Sequence, residues 1–397
     1  MPDPALMLVH ALAPPTPGGT PIVLQRVLTG LPAVRLEVVT RSAQRAAVRR
    51  GGEHVLRARY RFVAKWPGWG RRWLAGRVAT TAIDLALAAV AGVRAGRWAR
   101  EDGARWVMSV VDEGFSVVAG AVAARRAGLP HVIMVFDLWE ENAYAEVDRW
   151  IAGRLERRLW RGAAAIVGYD TQIAAHYERK HGVRPHVIDT PVEVGAAADR
   201  DAARPAGEPA DVLYAGALYW AQEEALRRLA RVCRDRAELR LTVVADTAQA
   251  RAAGIEADAF EPPLSPSAFR ERVARADIAV LCLSFDSEHP AVIATASPAR
   301  LPEYMASGTP ILVHAPAGSH VAEYARAGDF AEVVDRADDA ALAEGLRRVL
   351  ADPERSAQRA RRARALALER HAEDAVRARM REILDEVGAG APARVPA

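Results

Sequence analysis

Residues 195–210 read GAAADRDAARPAGEPA, a stretch of alanine, proline, glycine and charge with no hydrophobic period. Such a segment is a linker or a surface loop. What stands on either side of it decides the fold. Upstream, the apolar runs ALMLVHAL (5–12), LEVVT (36–40), WVMSVV (106–111), HVIMVF (131–136), AAIVGY (164–169) and HVID (186–189) read as strands. Helical stretches over 21–29, 115–127, 146–160 and 171–180 separate most of them, with residues 60–100 irregular and then helical. Downstream the alternation restarts: DVLYAGAL (211–218), LRLTVVA (239–245), IAVLCL (278–283), PILVHA (310–315) and EVVD (332–335), with helices over 222–234, 266–275 and 301–307. From Asp339 the tail is helical and arginine-rich. Strands alternating with helices imply a parallel sheet covered on both faces, and near-continuous apolar runs suit strands buried on both sides. The predicted class is therefore α/β, as two αβα units joined by one linker.

The 397 residues suffice for two domains, each with its own core. Cys233 and Cys282 match no metal or redox spacing and fall in apolar stretches, which predicts buried free thiols and fits a reducing cytoplasm. The net charge is +4, and basic residues are interleaved with Asp and Glu, which argues against a nucleic-acid partner. The opening MPDPALMLVHALAPP has no charged region and a short apolar run, so no signal peptide is expected. The run Val78–Val93 contains Asp84 and is shorter than a spanning helix requires, so no transmembrane segment is predicted.

Open parallel sheets bind ligands beyond the carboxyl ends of their strands. Gly18-Gly19-Thr20 follows the first strand, where paired glycines let the backbone approach a ligand and the next helix offers amides to an anion. A plain tight turn is the equal alternative. More informative is SPARLPEYMASGTPILVHAPAGSHVAEY, Ser297 to Tyr324. A helix opening near Leu301 favours a phosphate at its positive end, and Arg300 adds a cation able to bridge two phosphate oxygens. Glu303, in the first turn, suits both hydroxyls of a ribose. On physics alone a dipole-stabilised Glu303 and a solvated Arg300 fit equally well.

This run resembles the donor-site signature of the GT-B glycosyltransferases, specifically the glycosyltransferase family 4-like group: Ser-Pro-x-Lys/Arg, two residues, then Glu-Tyr-Met/Leu-Ala-x-Gly-x-Pro-Ile. Ser297, Pro298, Arg300, Glu303, Tyr304, Met305, Ala306, Gly308, Pro310 and Ile311 fit it. The resemblance implies that Glu303 binds the donor ribose, Arg300 the diphosphate, and the amides of Leu301 and Pro302 the phosphates, beside Ser297. It places Gly18 and Gly19 at the donor phosphates, Gly216 at the opening of the second domain (YAGALYWAQEEALRRL), and Ala259 and Phe260 in the loop that cradles the base. It implies two Rossmann-like domains facing across a cleft, with a final helix crossing back. The boundaries are then 1–190 for acceptor binding, 191–375 for the nucleotide sugar, and 376–397 for that helix and a flexible tail.

Phe136 stands where many relatives have a histidine near the transferring sugar, and Asp137 follows it. Asp137 at a strand end suits an acceptor or donor hydroxyl and is the candidate catalytic group with Arg300, a helix N-cap being its alternative. Asp112, Glu113, Trp139, Glu140 and Glu141 lie at neighbouring strand ends as candidate acceptor contacts or solvated loop residues. Two departures stand out. Thr295 replaces a second family glutamate, and Tyr219, Trp220 and Gln222 stand where many relatives place an arginine and a lysine.

The implied activity is transfer of a sugar from a nucleoside diphosphate sugar to an acceptor hydroxyl, retaining and without a metal or other cofactor, in polysaccharide, glycolipid or natural-product glycoside synthesis. A GT-B nucleotide-sugar epimerase or hydrolase, or an inactive nucleotide-binding homologue, are the alternatives. The acceptor is a small molecule, a glycan or a lipid-linked molecule. KWPGWGRRWLAGR (65–77) mixes Trp66, Trp69 and Trp73 with arginines, which suits peripheral contact with the inner membrane face, an aglycone, or a helix sealing the core.

Overall fold

The central strands of both halves are buried along their whole length, as apolar runs of this kind demand. The computed structural model describes residues 4–14, 19–31, 34–51, 55–63, 74–111, 115–142, 146–195 and 207–390. It divides into two units, Met1–Asp189 with Asp374–Ala397, and Thr190–Glu373.

The first unit holds strands β1 (Ala5–Val9), β2 (Arg35–Arg41), β3 (Arg59–Val63), β4 (Ala104–Val110), β5 (His131–Val135), β6 (Ala165–Gly168) and β7 (His186–Val187). Their order in one sheet is β3-β2-β1-β4-β5-β6-β7, and every pairing is parallel. Between them run α1 (Gly19–Leu28), α2 (Arg45–Arg50), α3 (Leu74–Glu101), α4 (Ser116–Ala127), α5 (Glu146–Gly162) and α6 (Thr171–His181). The strand reversal between β1 and β4 is the point where such sheets open a crevice.

Strand β3 lay in the stretch read as irregular. Its arginines hide the pattern, and Asp102 neutralises both, at 3.0 Å from Arg59 and 2.7 Å from Arg61. Helix α3 also exceeds expectation. Over Val78–Glu101 it is long and apolar enough, by length and composition, to cross a membrane. In the fold it packs on α4. A Cβ on Gly92 would stand 2.5 Å from the Ala119 carbonyl oxygen, and one on Gly96 2.8 Å from that of Ala123.

In the second unit, β8 (Ala210–Ala215), α7 (Trp220–Arg234), β9 (Leu239–Val244), α8 (Thr247–Ala252), β10 (Ala259–Glu261), α9 (Pro266–Arg275) and β11 (Ile278–Cys282) come first. After them run α10 (Pro290–Ala294), α11 (Arg300–Ser307), β12 (Ile311–His314), α12 (His320–Gly328), β13 (Glu332–Val334), α13 (Asp339–Ala351) and α14 (Pro353–Leu366). The parallel sheet has the order β10-β9-β8-β11-β12-β13. Alternate residues feed separate cores on its two faces: Leu213, Ala279 and Val313 one, Val212, Val280 and Leu312 the other.

The last helix, α15 (Glu373–Gly390), belongs almost wholly to the first unit, which takes back residues from Asp374 onward. Val376, Met380, Ile383 and Leu384 are buried, and the Trp106 indole N–H donates to the Leu384 carbonyl at 2.7 Å. Cys233 and Cys282 are buried and unlinked, and burial pushes both thiols up to about 12.

Candidate functional site

Strand β8 ends at Ala215, and Gly216 turns away with φ of 130°, a conformation open to glycine. Space makes the same demand. A Cβ there would stand 3.0 Å from Arg300 Nε and 3.1 Å from Cζ. Arg300, the first residue of α11, lays its guanidinium over the Tyr214 ring at 4.8 Å and donates from Nη2 to the Ala217 carbonyl at 2.6 Å. Its Nη1 is buried with no hydrogen-bond partner. α11 itself is pinned by Tyr304, whose hydroxyl accepts from the Ala215 N–H at 2.9 Å and donates to the Ala215 carbonyl at 3.0 Å. The cation thus stands where strand order reverses between β8 and β11, at the crevice position of an open parallel sheet.

Glu303 is in the first turn of α11 and 8% exposed, so its carboxylate is held within the protein one turn from the guanidinium. Ser297 is partly buried just ahead of the helix. The expected amide donors need correction. Pro302 carries no N–H, and the Leu301 N–H is already bonded to the Pro298 carbonyl at 2.9 Å. The guanidinium is therefore the donor this helix end offers to an anion. Ala259 and Phe260 form part of β10 and are half-buried, with the Arg251 guanidinium 5.3 Å from the Phe260 ring centre.

The departures have local explanations. The Thr295 hydroxyl donates to the Ala291 carbonyl at 3.0 Å, so it is absorbed by α10. Tyr219 is the N-cap of α7, and Gln222 reaches back to accept from its N–H at 3.3 Å. Trp220 packs against the core and meets His289 at 5.2 Å.

In the first unit, Phe136 and Asp137 leave β5 side by side with Tyr169 and Asp170 leaving β6. The Phe136 and Tyr169 rings stack at 4.2 Å. Asp137 is exposed, whereas Asp170 is 2% exposed and caps α6, its Oδ1 accepting from the Ile173 N–H at 2.6 Å. Burial raises the Asp170 carboxyl to about 7, helped by Asp137 and opposed by the N–H groups of Ile173 and Gln172. The sequence reading missed Asp170. Its signal was a cap residue directly before a helix, which ordinarily means structure and not chemistry.

Trp139 and Glu140 are turned to the unit's own packing. Trp139 is 7% exposed and stacks on Trp160 at 5.7 Å. Glu140 pairs with Lys180 at 2.9 Å, and Glu141 with Lys180 at 2.8 Å and His176 at 3.0 Å. Burial acts to raise the Glu141 carboxyl, but these two partners outweigh it and hold the value down at about 2. Gly19 opens α1. Gly18, Asp112, Glu113 and residues 65–73 lie outside the described residues. At the β1/β4 reversal an open concavity is lined by Val9, His10, Thr40, Arg41, Leu87 and Ser116, among others, a feature no motif announced. Among the described residues, no group of three or more His, Cys, Asp or Glu side chains is arranged to hold a metal ion.

Residues 209–352, most of the second unit, match the family model described as glycosyl transferases group 1. No curated protein matches the chain by sequence. Among solved structures, HepE of Anabaena in complex with UDP-glucose is similar at a TM-score of 0.67 and 15% identity, covering 96% of this chain and 99% of that one. Sucrose-phosphate synthase of Thermosynechococcus elongatus is similar at 0.65 and 14%, covering 98% and 99%. A glycosyltransferase of Rickettsia africae is similar at 0.65 and 10%, covering 96% and 98%. The chain therefore has the GT-B fold, and within it residues 209–352 match the glycosyl transferases group 1 family.

Proposed function

We propose that the protein transfers a glycosyl group from a nucleoside diphosphate sugar to an acceptor hydroxyl, with retention of configuration and no metal. The observation that carries this reading is the Arg300 guanidinium, with Nη1 buried and unsatisfied, placed at the strand reversal one turn before the buried Glu303. A buried N–H without a partner is costly, and a diphosphate oxygen would satisfy it. Glu303 would clasp the ribose, and Phe260 would flank the base. HepE of Anabaena, of the same fold, holds UDP-glucose in its structure, which supports a nucleotide-sugar donor here.

As the bond from the anomeric carbon to the diphosphate breaks, negative charge grows on the leaving oxygen, where Arg300 would stabilise it. The acceptor oxygen would bond to the anomeric carbon from the same face, and its proton would pass to the leaving diphosphate. Asp137, exposed at the end of β5, would orient a substrate hydroxyl. The buried, unlinked cysteines support a cytoplasmic setting.

The test is a panel of nucleoside diphosphate sugars scored for nucleoside diphosphate release, with and without acceptors. In Glu303→Ala the donor KM should rise about ten- to a hundredfold, the loss of a charge-assisted hydrogen bond of about 1.5–3 kcal/mol. Unchanged donor kinetics in that variant would refute the assignment. A second reading, epimerase or hydrolase, is favoured by the Asp137–Asp170 juxtaposition, a pair of neighbouring carboxyls of which Asp170 is raised by burial to about 7. Donor turnover at full rate without any acceptor would select it.

A further inference from the structure

We propose that the first unit docks on an anionic phospholipid surface through the outer faces of the neighbouring helices α3 and α5. On α5, Arg149, Trp150, Arg154, Arg157, Arg158 and Arg161 are all exposed, and at 3.6 residues per turn they fall within one half of its circumference. None of these five arginines forms an ion pair among the described residues. Glu156 and Asp148 of the same helix are directed elsewhere: Glu156 is fully buried against Lys180 and His181, and the Asp148 carboxylate accepts from the Thr81 hydroxyl at 2.8 Å. Trp150, 58% exposed, lies at the middle of the basic face, with the Arg154 guanidinium stacked over its ring at 3.9 Å. An exposed tryptophan among unpaired arginines has the chemistry of a membrane interface, with an apolar ring for the acyl boundary and cations for the phosphates.

The Thr81–Asp148 bond joins α5 to α3, and α3 decides between anionic partners. Its exposed stripe is apolar: Val78, Ala82, Ala86, Val90 and Val93, with the three valines 48%, 50% and 42% exposed. These positions share one face of the helix and span roughly 22 Å. Arg97 and Arg100 continue the same face and are exposed. A nucleic acid would match the arginines and leave the valines in water, whereas a lipid surface takes both. The opposite side of α3 is buried at Thr81, Ala88, Ala95 and Ala99, so the helix lies along the surface and does not cross it. This inference is independent of the donor site.

The test is sedimentation of the full chain with vesicles of phosphatidylcholine alone and with vesicles that also contain phosphatidylglycerol. The parent should bind the phosphatidylglycerol vesicles selectively, weaken with added salt, and be released by alkaline carbonate. The combined variant Arg154→Glu, Arg157→Glu and Arg161→Glu should bind about a hundredfold more weakly or worse, because each surface cation contributes roughly a fivefold factor. Val90→Glu with Val93→Glu should weaken binding while leaving the basic face intact. All substituted positions are exposed, and matched melting curves check that the fold survives; the lipid and salt dependence of the parent decides the question even if a variant unfolds. Equal binding to both vesicle types, undiminished binding by the triple variant, pelleting that resists carbonate, or displacement by an RNA duplex would each overturn the proposal.

Discussion

At Gly216 the backbone φ of 130° and the approach of Arg300 impose the same requirement. Gly216→Ala would add backbone strain of about 1–3 kcal/mol and push the guanidinium off Tyr214. Donor turnover should fall together with the melting temperature. If turnover stays at the parent level, Arg300 does not need the position it holds. Asp170 makes a different kind of prediction. In the fold its carboxyl titrates near 7, against an ordinary value of 3.8. Between those values the folded chain binds more protons than the unfolded one, so this group makes stability fall as pH rises through that window. Asp170→Asn keeps an oxygen for the Ile173 N–H and removes the charge. Its melting temperature should gain on the parent at about pH 8 relative to about pH 5. A parent and variant that track each other across that range would exclude the assignment.

Among the elements, α11 carries the most consequence for the site, and the Tyr304 hydroxyl hydrogen-bonds it to β8. Tyr304→Phe leaves the Ala215 N–H and carbonyl without their side-chain partner inside a closed core, at a cost of about 1–3 kcal/mol. The expected result is a lower midpoint in urea and a raised donor KM. A KM that does not move would separate the helix anchor from donor binding. The arginine of this helix and Gly216 were legible from their motifs, whereas the contacts with Tyr214 and Ala217 were not, because those two reach Arg300 only through sheet order. Phosphate contact by the Pro302 amide was an error of chemistry that one look at proline's missing hydrogen corrects.

For the molecule as a whole, α15 ties the end of the chain to its beginning. Removing Asp374–Gly390 would uncover the surfaces that now bury Val376, Met380, Ile383 and Leu384. At roughly 1.5–3 kcal/mol for each buried side chain, the loss is comparable with the entire 5–15 kcal/mol stability of a typical domain. The truncated chain should aggregate or melt well below the full one. A soluble truncation with an unchanged melting curve would show that the helix is dispensable to the first unit.

The alternation of apolar strands and helices on either side of residues 195–210 determined the α/β class, the doubling of the unit and most strand positions, since burial on both faces leaves a run that few other structures tolerate. The donor motif likewise determined which helix to watch. Tertiary structure alone decided what each polar residue does. Trp139, read with Glu140 as an acceptor contact, is buried against Trp160, and Glu140 pairs with Lys180, because both partners come from later helices. Asp170, read as nothing, becomes a buried acid because β5 and β6 end side by side. Strand β3 escaped notice because its arginines are neutralised by Asp102, which arrives from the far end of α3. Sequence period reports which face of an element is buried, but the partner across a contact is set by strand order, and that order is written in no local stretch of the chain.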